Sequence, residues 1–192
     1  MKAVIFDCFG VLYVDASRDF YEKSVANYEQ LRPQLMELNA QSDYGLISQQ
    51  EWVEQVAEVT GLPVDEVGVK IQSNHTRNDG LISYMASLRQ RGYLIGMISN
   101  IGPGAMDNFF SPRERDELFD AVVLSGDVMV TKPSPVIFQL GAERLGVDAG
   151  DCIMIDDLSE NCNGADAAGM QAVQYLSNQQ TIRNVEDILH KM

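Results

Sequence analysis

The sequence predicts a doubly wound α/β fold, a parallel sheet wrapped by helices, with a small all-helical cap inserted after the first strand. Three observations carry this. Short, continuously apolar runs alternate with longer amphipathic stretches, as expected of strand–helix–strand units with right-handed crossovers. The runs are mostly rich in β-branched residues with no polar alternation, the pattern of parallel strands covered on both faces. One stretch, from about Tyr13 to Arg77, breaks the rhythm and reads as helix only.

Taken in order, the first strand is Ala3–Phe6. The insert follows. Phe20, Val25, Tyr28 and Leu31 outline one amphipathic helix, and Pro33 is placed to open another. Ser48-Gln49-Gln50-Glu51 is a capping box ahead of Trp52, Val53, Val56, Ala57 and Val59. Gly61 stops that helix, and Pro63 can begin the next. The core resumes with a helix over Asp79–Arg91, whose apolar face is Leu81, Ile82, Met85 and Leu88 and whose stop is Gly92. Strands then fall at Leu94–Ile98, Ala121–Leu124, Cys152–Ile155 and Gln171–Gln174, with helices at Pro103–Phe109, Pro135–Leu145 and Ser159–Ala168. The predicted division is a core of residues 1–12 and 79–192 and a cap of residues 13–78, hinged near Leu12–Asp15 and Asn74–Asp79. No repeat or low-complexity linker interrupts it.

Composition bounds the function. The chain has 192 residues and a formal net charge of −14. Nucleic acids and anionic membranes need clustered cations, so neither is expected as a partner. No apolar run approaches a membrane span, and the start, MKAVIFD, meets Asp7 too soon for a signal peptide. Three cysteines without framework spacing read as reduced thiols in a cytoplasmic protein, with Cys8 and Cys152 as small core residues.

Polar residues with chemical potential stand at successive strand ends: Asp7, Ser99-Asn100, Thr131-Lys132-Pro133 and Asp156-Asp157. Open α/β sheets place their sites at these ends. A carboxylate at Asp7 can attack phosphorus or carbon and form a covalent intermediate. Attack on a phosphoryl group requires its oxygens to be neutralised, which Ser99, backbone amides and Lys132 can do. Carboxylates at Asp7, Asp156 and Asp157 repel one another unless paired, and Mg²⁺, a hard cation that takes oxygen ligands, resolves that.

This set of residues resembles the haloacid dehalogenase (HAD) superfamily, mostly phosphatases, over Lys2 to about Tyr175. The resemblance implies Asp7 as nucleophile, Ser99 and Asn100 at the phosphate, and Lys132 as the lysine of the third motif. Asp156, Asp157 and Asn161 match the acidic fourth motif, and Asp166–Met170 the turn after it. It also implies Mg²⁺ held by Asp7, the Phe9 backbone carbonyl and Asp157, with Asp156 and Asn161 in support.

Phe9 departs from the pattern. Family phosphatases carry there an Asp that protonates the leaving oxygen and then activates water, help worth about 10²–10⁴-fold. An aromatic at this position is what haloacid dehalogenases carry. Those enzymes need no Mg²⁺ and use a cap arginine, for which Arg18, Arg32 and Arg77 are the candidates. Three functions stay open: a slow Mg²⁺-dependent phosphatase of a small phosphorylated molecule, a binding or regulatory protein with weak or no catalysis, and a metal-independent dehalogenase. His75 is the imidazole nearest the expected mouth, with a surface or hinge position the simpler expectation. Tyr13 either lines the pocket or packs under the cap, and Trp52 is expected in the cap core. The sequence names neither substrate nor oligomeric state.

Overall fold

The computed structural model describes residues 2–14, 17–25, 27–73 and 75–191; for 17–19 and 70–73 it describes the backbone alone. A five-stranded parallel sheet forms the centre, in the order β5–β4–β1–β6–β7: Ala121–Leu124, Leu94–Ser99, Ala3–Phe6, Cys152–Asp156 and Gln171–Gln174. The central strand β1 is wholly buried, which is why it tolerates four apolar residues in a row. Phe6 pairs in register with Met97 on one side and Ile155 on the other. Asp7, Ser99 and Asp156 therefore finish their strands at one edge.

Helices cover both faces. On one, Phe6, Met97 and Ile155 pack against Leu81, Met85 and Leu88 of α5 (Asp79–Gln90) and against Phe110. On the other, Ile5, Ile98 and Met154 pack against Ile137, Phe138 and Ala142 of α8 (Pro135–Leu145). Burying one side chain of this size contributes about 1.5–3 kcal/mol. The helix after β6, α9 (Ser159–Ala167), lies so close to the loop before α8 that a Cβ on Gly164 would collide with the Pro133 carbonyl.

The insert has its own apolar cluster. Phe20 and Tyr21 of α1 (Ser17–Ser24), Leu35 and Leu38 of α2 (Tyr28–Asp43), Val56 of α3 (Gln49–Thr60) and Val67 of α4 (Val64–Ser73) are buried together. Ser48 caps α3 through the expected reciprocal box with Glu51, and Gly61 ends it in the left-handed region.

Three expectations are corrected. The insert is not purely helical: β2 (Tyr13–Val14) and β3 (Thr76–Arg77) pair antiparallel at its base. Pro33 lies inside α2 instead of opening a helix. The helix expected over Pro103–Phe109 shrinks to a 3-10 turn at Ala105–Asn108, because Gly104 adopts φ +77° just before it; a capped helix, α6 (Pro112–Leu118), follows. Three helices went unforeseen: α6, the single turn α7 (Ser125–Val128) and α10 (Asn178–Leu189). Among the described residues, no helix is long and apolar enough to cross a membrane. All three cysteines are buried thiols. The expected hinges fall partly on Asp15 and Asn74, outside the described residues.

Candidate active site

β1 carries Asp7 to the sheet edge, where its N–H still bonds the Ile155 carbonyl at 2.9 Å. Asp7 Oδ1 accepts the Cys8 N–H at 2.6 Å and lies 2.7 Å from Lys132 Nζ. The chain then turns sharply, with the Leu12 and Tyr13 N–H groups both donating to the Cys8 carbonyl at 2.8 Å. Gly10 permits the turn at φ +85°, and a Cβ there would strike the Asp157 carboxylate. The first turn and the end of β6 are thus packed against each other.

Lys132 is the hub. Its side chain is almost wholly buried, and Nζ also donates to Asp156 Oδ2 at 2.6 Å. Asp156 is fully enclosed and fully used: Oδ1 accepts the Leu158 N–H at 3.0 Å and Asn161 Nδ2 at 2.9 Å. Asn100 grips the Lys132 backbone at both ends, its Oδ1 accepting the N–H at 2.8 Å and its Nδ2 donating to the carbonyl at 3.1 Å. The structure therefore brings Asp7, Asn100, Lys132, Asp156 and Asn161 into one bonded network. Ser99, at the end of β4, is fully buried, and its hydroxyl has no partner. A buried unsatisfied hydroxyl is costly, about 1–3 kcal/mol.

Oxygen atoms of Asp7, Asp156 and Asp157 lie within 4.8 Å of one another. Two of these carboxylates, Asp7 and Asp156, share the Lys132 ammonium. Burial pushes Asp7 up to about 7 against the pull of Lys132, and the charges of Asp156 and Asp157 push the same way. Burial works to lower Lys132, but Asp7 and Asp156 outweigh it and raise it, so the ammonium keeps its charge. The donors are all hard oxygens and carry surplus negative charge. That set fits a small divalent cation such as Mg²⁺.

A cavity of about 260 Å³ lies between the insert and the sheet edge, lined by Phe9, Asn100, Ile101 and Phe109 from the core and by Tyr21, Ser42, Asp43, Trp52 and His75 from the insert and its base, among others. Asp7 and Lys132 are not in its wall; the lining residue Phe9 is two positions after Asp7, and Asn100 holds the Lys132 backbone. Phe9, His75 and Phe109 pack edge to face with centroids 4.8–5.2 Å apart. His75 is thus part of an aromatic wall. Tyr13 is buried and donates its O–H to the Phe109 carbonyl at 2.7 Å, so it packs under the insert. Trp52 both packs on the insert's cluster and lines the cavity.

The proposed cap arginines are placed differently. Arg77 is ion-paired with Glu114 at 2.8 Å. Arg32 is on the surface near Glu29. The side chain of Arg18 lies outside what is described. Sequence reasoning missed Asp43 and Phe109 altogether. Asp43 has one legible trace, the polar Ser42-Asp43-Tyr44-Gly45 stretch that ends a helix before the Ser48 box.

A family model described as haloacid dehalogenase-like hydrolase matches residues 1–169. Among curated proteins, phosphonoacetaldehyde hydrolase of Bordetella pertussis is 32% identical over 99 residues, covering 50% of this chain and 36% of that protein. Glyceraldehyde 3-phosphate phosphatase of Pyrococcus abyssi is 31% identical over 97 residues, covering 50% and 41%. Human N-acylneuraminate-9-phosphatase is 40% identical over 60 residues, covering 31% and 24%. Each match spans less than half the relative's own length. Among solved structures, one described as a predicted HAD-like family hydrolase from Porphyromonas gingivalis superposes with TM-score 0.78 at 23% identity, covering 100% of this chain and 99% of the other. A HAD family enzyme from Bacteroides thetaiotaomicron, solved with magnesium and inorganic phosphate, has TM-score 0.74 at 24% identity, covering 91% and 93%.

Proposed function

Because the chain belongs to the haloacid dehalogenase-like hydrolases, we propose that it is a Mg²⁺-dependent hydrolase of a small phosphorylated molecule, working through an aspartyl-phosphate on Asp7. The observation that carries this reading is the cluster of three carboxylates at the sheet edge, two of them paired with one buried ammonium. An Asp7 carboxylate oxygen attacks phosphorus, the bond to the leaving oxygen breaks, and a proton goes to that oxygen. Water then attacks the phosphorus of the aspartyl-phosphate, releasing inorganic phosphate and restoring the carboxylate. Lys132 pulls Asp7 toward its ionised form and offers positive charge to the phosphoryl oxygens, and the Ser99 hydroxyl supplies a donor already stripped of water. Asn100 fixes Lys132, while Asp156 and Asn161 brace it from behind. Asp7, Asp157 and the Phe9 carbonyl would hold Mg²⁺, which when bound neutralises phosphoryl charge.

In this reading residues 13–78 form the lid, and residues 1–12 with 79–192 form the catalytic core. Two of the three named relatives are phosphatases of small phosphorylated molecules, which supports the same class of substrate here. The aromatic wall at Phe9 favours a second reading, a site that binds a phosphorylated ligand with little turnover, since Phe9 transfers no proton. The separating experiment is intact-protein mass after acetyl phosphate with Mg²⁺. A phosphoryl adduct on wild type that is absent from Asp7→Asn supports the hydrolase. No adduct, with Mg²⁺ binding retained, overturns it in favour of the binding protein.

A further inference from the structure

Resting on the hydrolase reading, we propose that Asp43, on the helical insert, is the general acid and base of the Asp7 reaction, in the role that Phe9 leaves empty. Asp43 ends α2 and lines the cavity together with Phe9, two residues after Asp7 in the chain, and Asn100, which holds the Lys132 backbone. Its carboxylate is partly buried, yet has no hydrogen-bond partner among the described residues.

Its mount is rigid. Ser125 Oγ donates to the Asp43 backbone carbonyl at 2.6 Å and accepts the Ile101 N–H at 2.9 Å. A Cβ on Gly102 would collide with Ser42 Oγ, and one on Gly45 with the Gly126 carbonyl. The end of α2 is therefore seated on the loop after β4, which begins at Asn100, and on α7, which follows β5. Acid–base catalysis requires such fixed placement near the reacting atoms.

Titration is favourable as well. Burial pushes Asp43 up to about 6, with the charge of Lys132 pulling the other way. Both protonation states are thus accessible near neutrality, as an acid that must become a base requires. The other ionisable groups are Tyr21 and His75 in the cavity wall, Lys132, and the Asp7, Asp156 and Asp157 carboxylates clustered at the sheet edge.

The step balances without another reactant. As the Asp7 oxygen–phosphorus bond forms and the ester bond breaks, protonated Asp43 gives its proton to the leaving oxygen. The Asp43 carboxylate then takes a proton from the water that attacks the aspartyl-phosphate, and ends protonated.

The test compares wild type, Asp43→Asn and Asp43→Glu with two probes, phenyl phosphate and p-nitrophenyl phosphate. p-Nitrophenolate leaves without a proton; phenolate does so poorly. Asp43→Asn is expected to lose about 100-fold or more in kcat/KM on phenyl phosphate and less than about 10-fold on p-nitrophenyl phosphate. The lifetime of the Asp7 adduct should lengthen about 100-fold. Asp43→Glu should recover part of both, and Phe9→Asp added to Asp43→Asn should restore adduct hydrolysis. Equal losses on both probes with an unchanged adduct lifetime overturn the proposal. So does an unaffected Asp43→Asn. Absence of any adduct on wild type brings down the hydrolase reading and this one with it, and that is seen before any Asp43 variant is made.

Discussion

Asn100 holds Lys132 by its backbone, accepting the N–H at 2.8 Å and donating to the carbonyl at 3.1 Å. A side chain that grips the main chain at both ends fixes where the lysine begins, and hence where the ammonium ends. Asn100→Leu should cost about 1–3 kcal/mol of stability, the net worth of two hydrogen bonds, read by denaturant unfolding. Adduct formation on Asp7 should slow while Mg²⁺ affinity, measured by calorimetry, stays at the wild-type value.

Lys132→Met removes the only described cation bonded to both Asp7 and Asp156. Breaking a buried pair from one side leaves uncompensated charge and costs about 3–5 kcal/mol. Without the pull of the ammonium, Asp7, already raised by burial, binds its proton still more tightly folded than unfolded. The variant's stability is then best preserved in acid and falls as pH rises. Urea midpoints at pH 5 and pH 8 should diverge more for Lys132→Met than for wild type, and adding Asp156→Asn should narrow the gap.

Asp43 makes a separate prediction about stability. Its folded value of about 6 lies above its ordinary 3.8. Its contribution is fully present below about 3.8 and is lost as pH rises through about 6. The amide in Asp43→Asn mimics the protonated acid, so the thermal midpoint of the variant should match wild type near pH 4 and exceed it near pH 7. Lys132, which pulls in the opposite sense, stays charged across that range. A variant that is more stable and less active would mark Asp43 as a group held in place against its own solvation.

Gly10→Ala puts a methyl where the Asp157 carboxylate now sits, on a backbone at φ +85°. Asp157 has to move, and Mg²⁺ affinity should weaken about 10–100-fold, the range found when a metal-site support is disturbed. Titration with Mg²⁺ measures it, and Asp7→Asn under the same conditions sets the scale for loss of a direct ligand.

Much of the core was legible because burial on both faces leaves an unmistakable mark. Val4, Ile5 and Phe6, or Ile153, Met154 and Ile155, have no reason to be apolar in succession unless water is excluded from both sides. The candidate residues Asp7, Ser99, Asp156 and Asp157 each end such a run or follow it at once. The elements missed lack that signal. β2 and β3 are two residues each, too short for any period. α10 buries only Thr181, Val185 and Leu189, one narrow stripe in a polar helix. Asp43 sits among polar neighbours in the chain, and its place beside Phe9 and Asn100 exists only once α2 is seated on Ser125 and Gly102. Tertiary docking of that kind writes nothing periodic into the sequence.

The pairing of Tyr13 with Arg77 has a consequence of another kind. The chain leaves the core and returns to it side by side, so everything between those two residues is a loop already closed at its base. Loop-closure entropy grows only logarithmically with length, about 0.6 kcal/mol per doubling. Residues can be added, lost or exchanged beyond that clasp with little effect on the sheet beneath. Substrate preference can drift in the insert while Asp7, Lys132 and Asp157 stay put, and grafting a different insert between Tyr13 and Arg77 becomes a practical route to redirecting the chemistry.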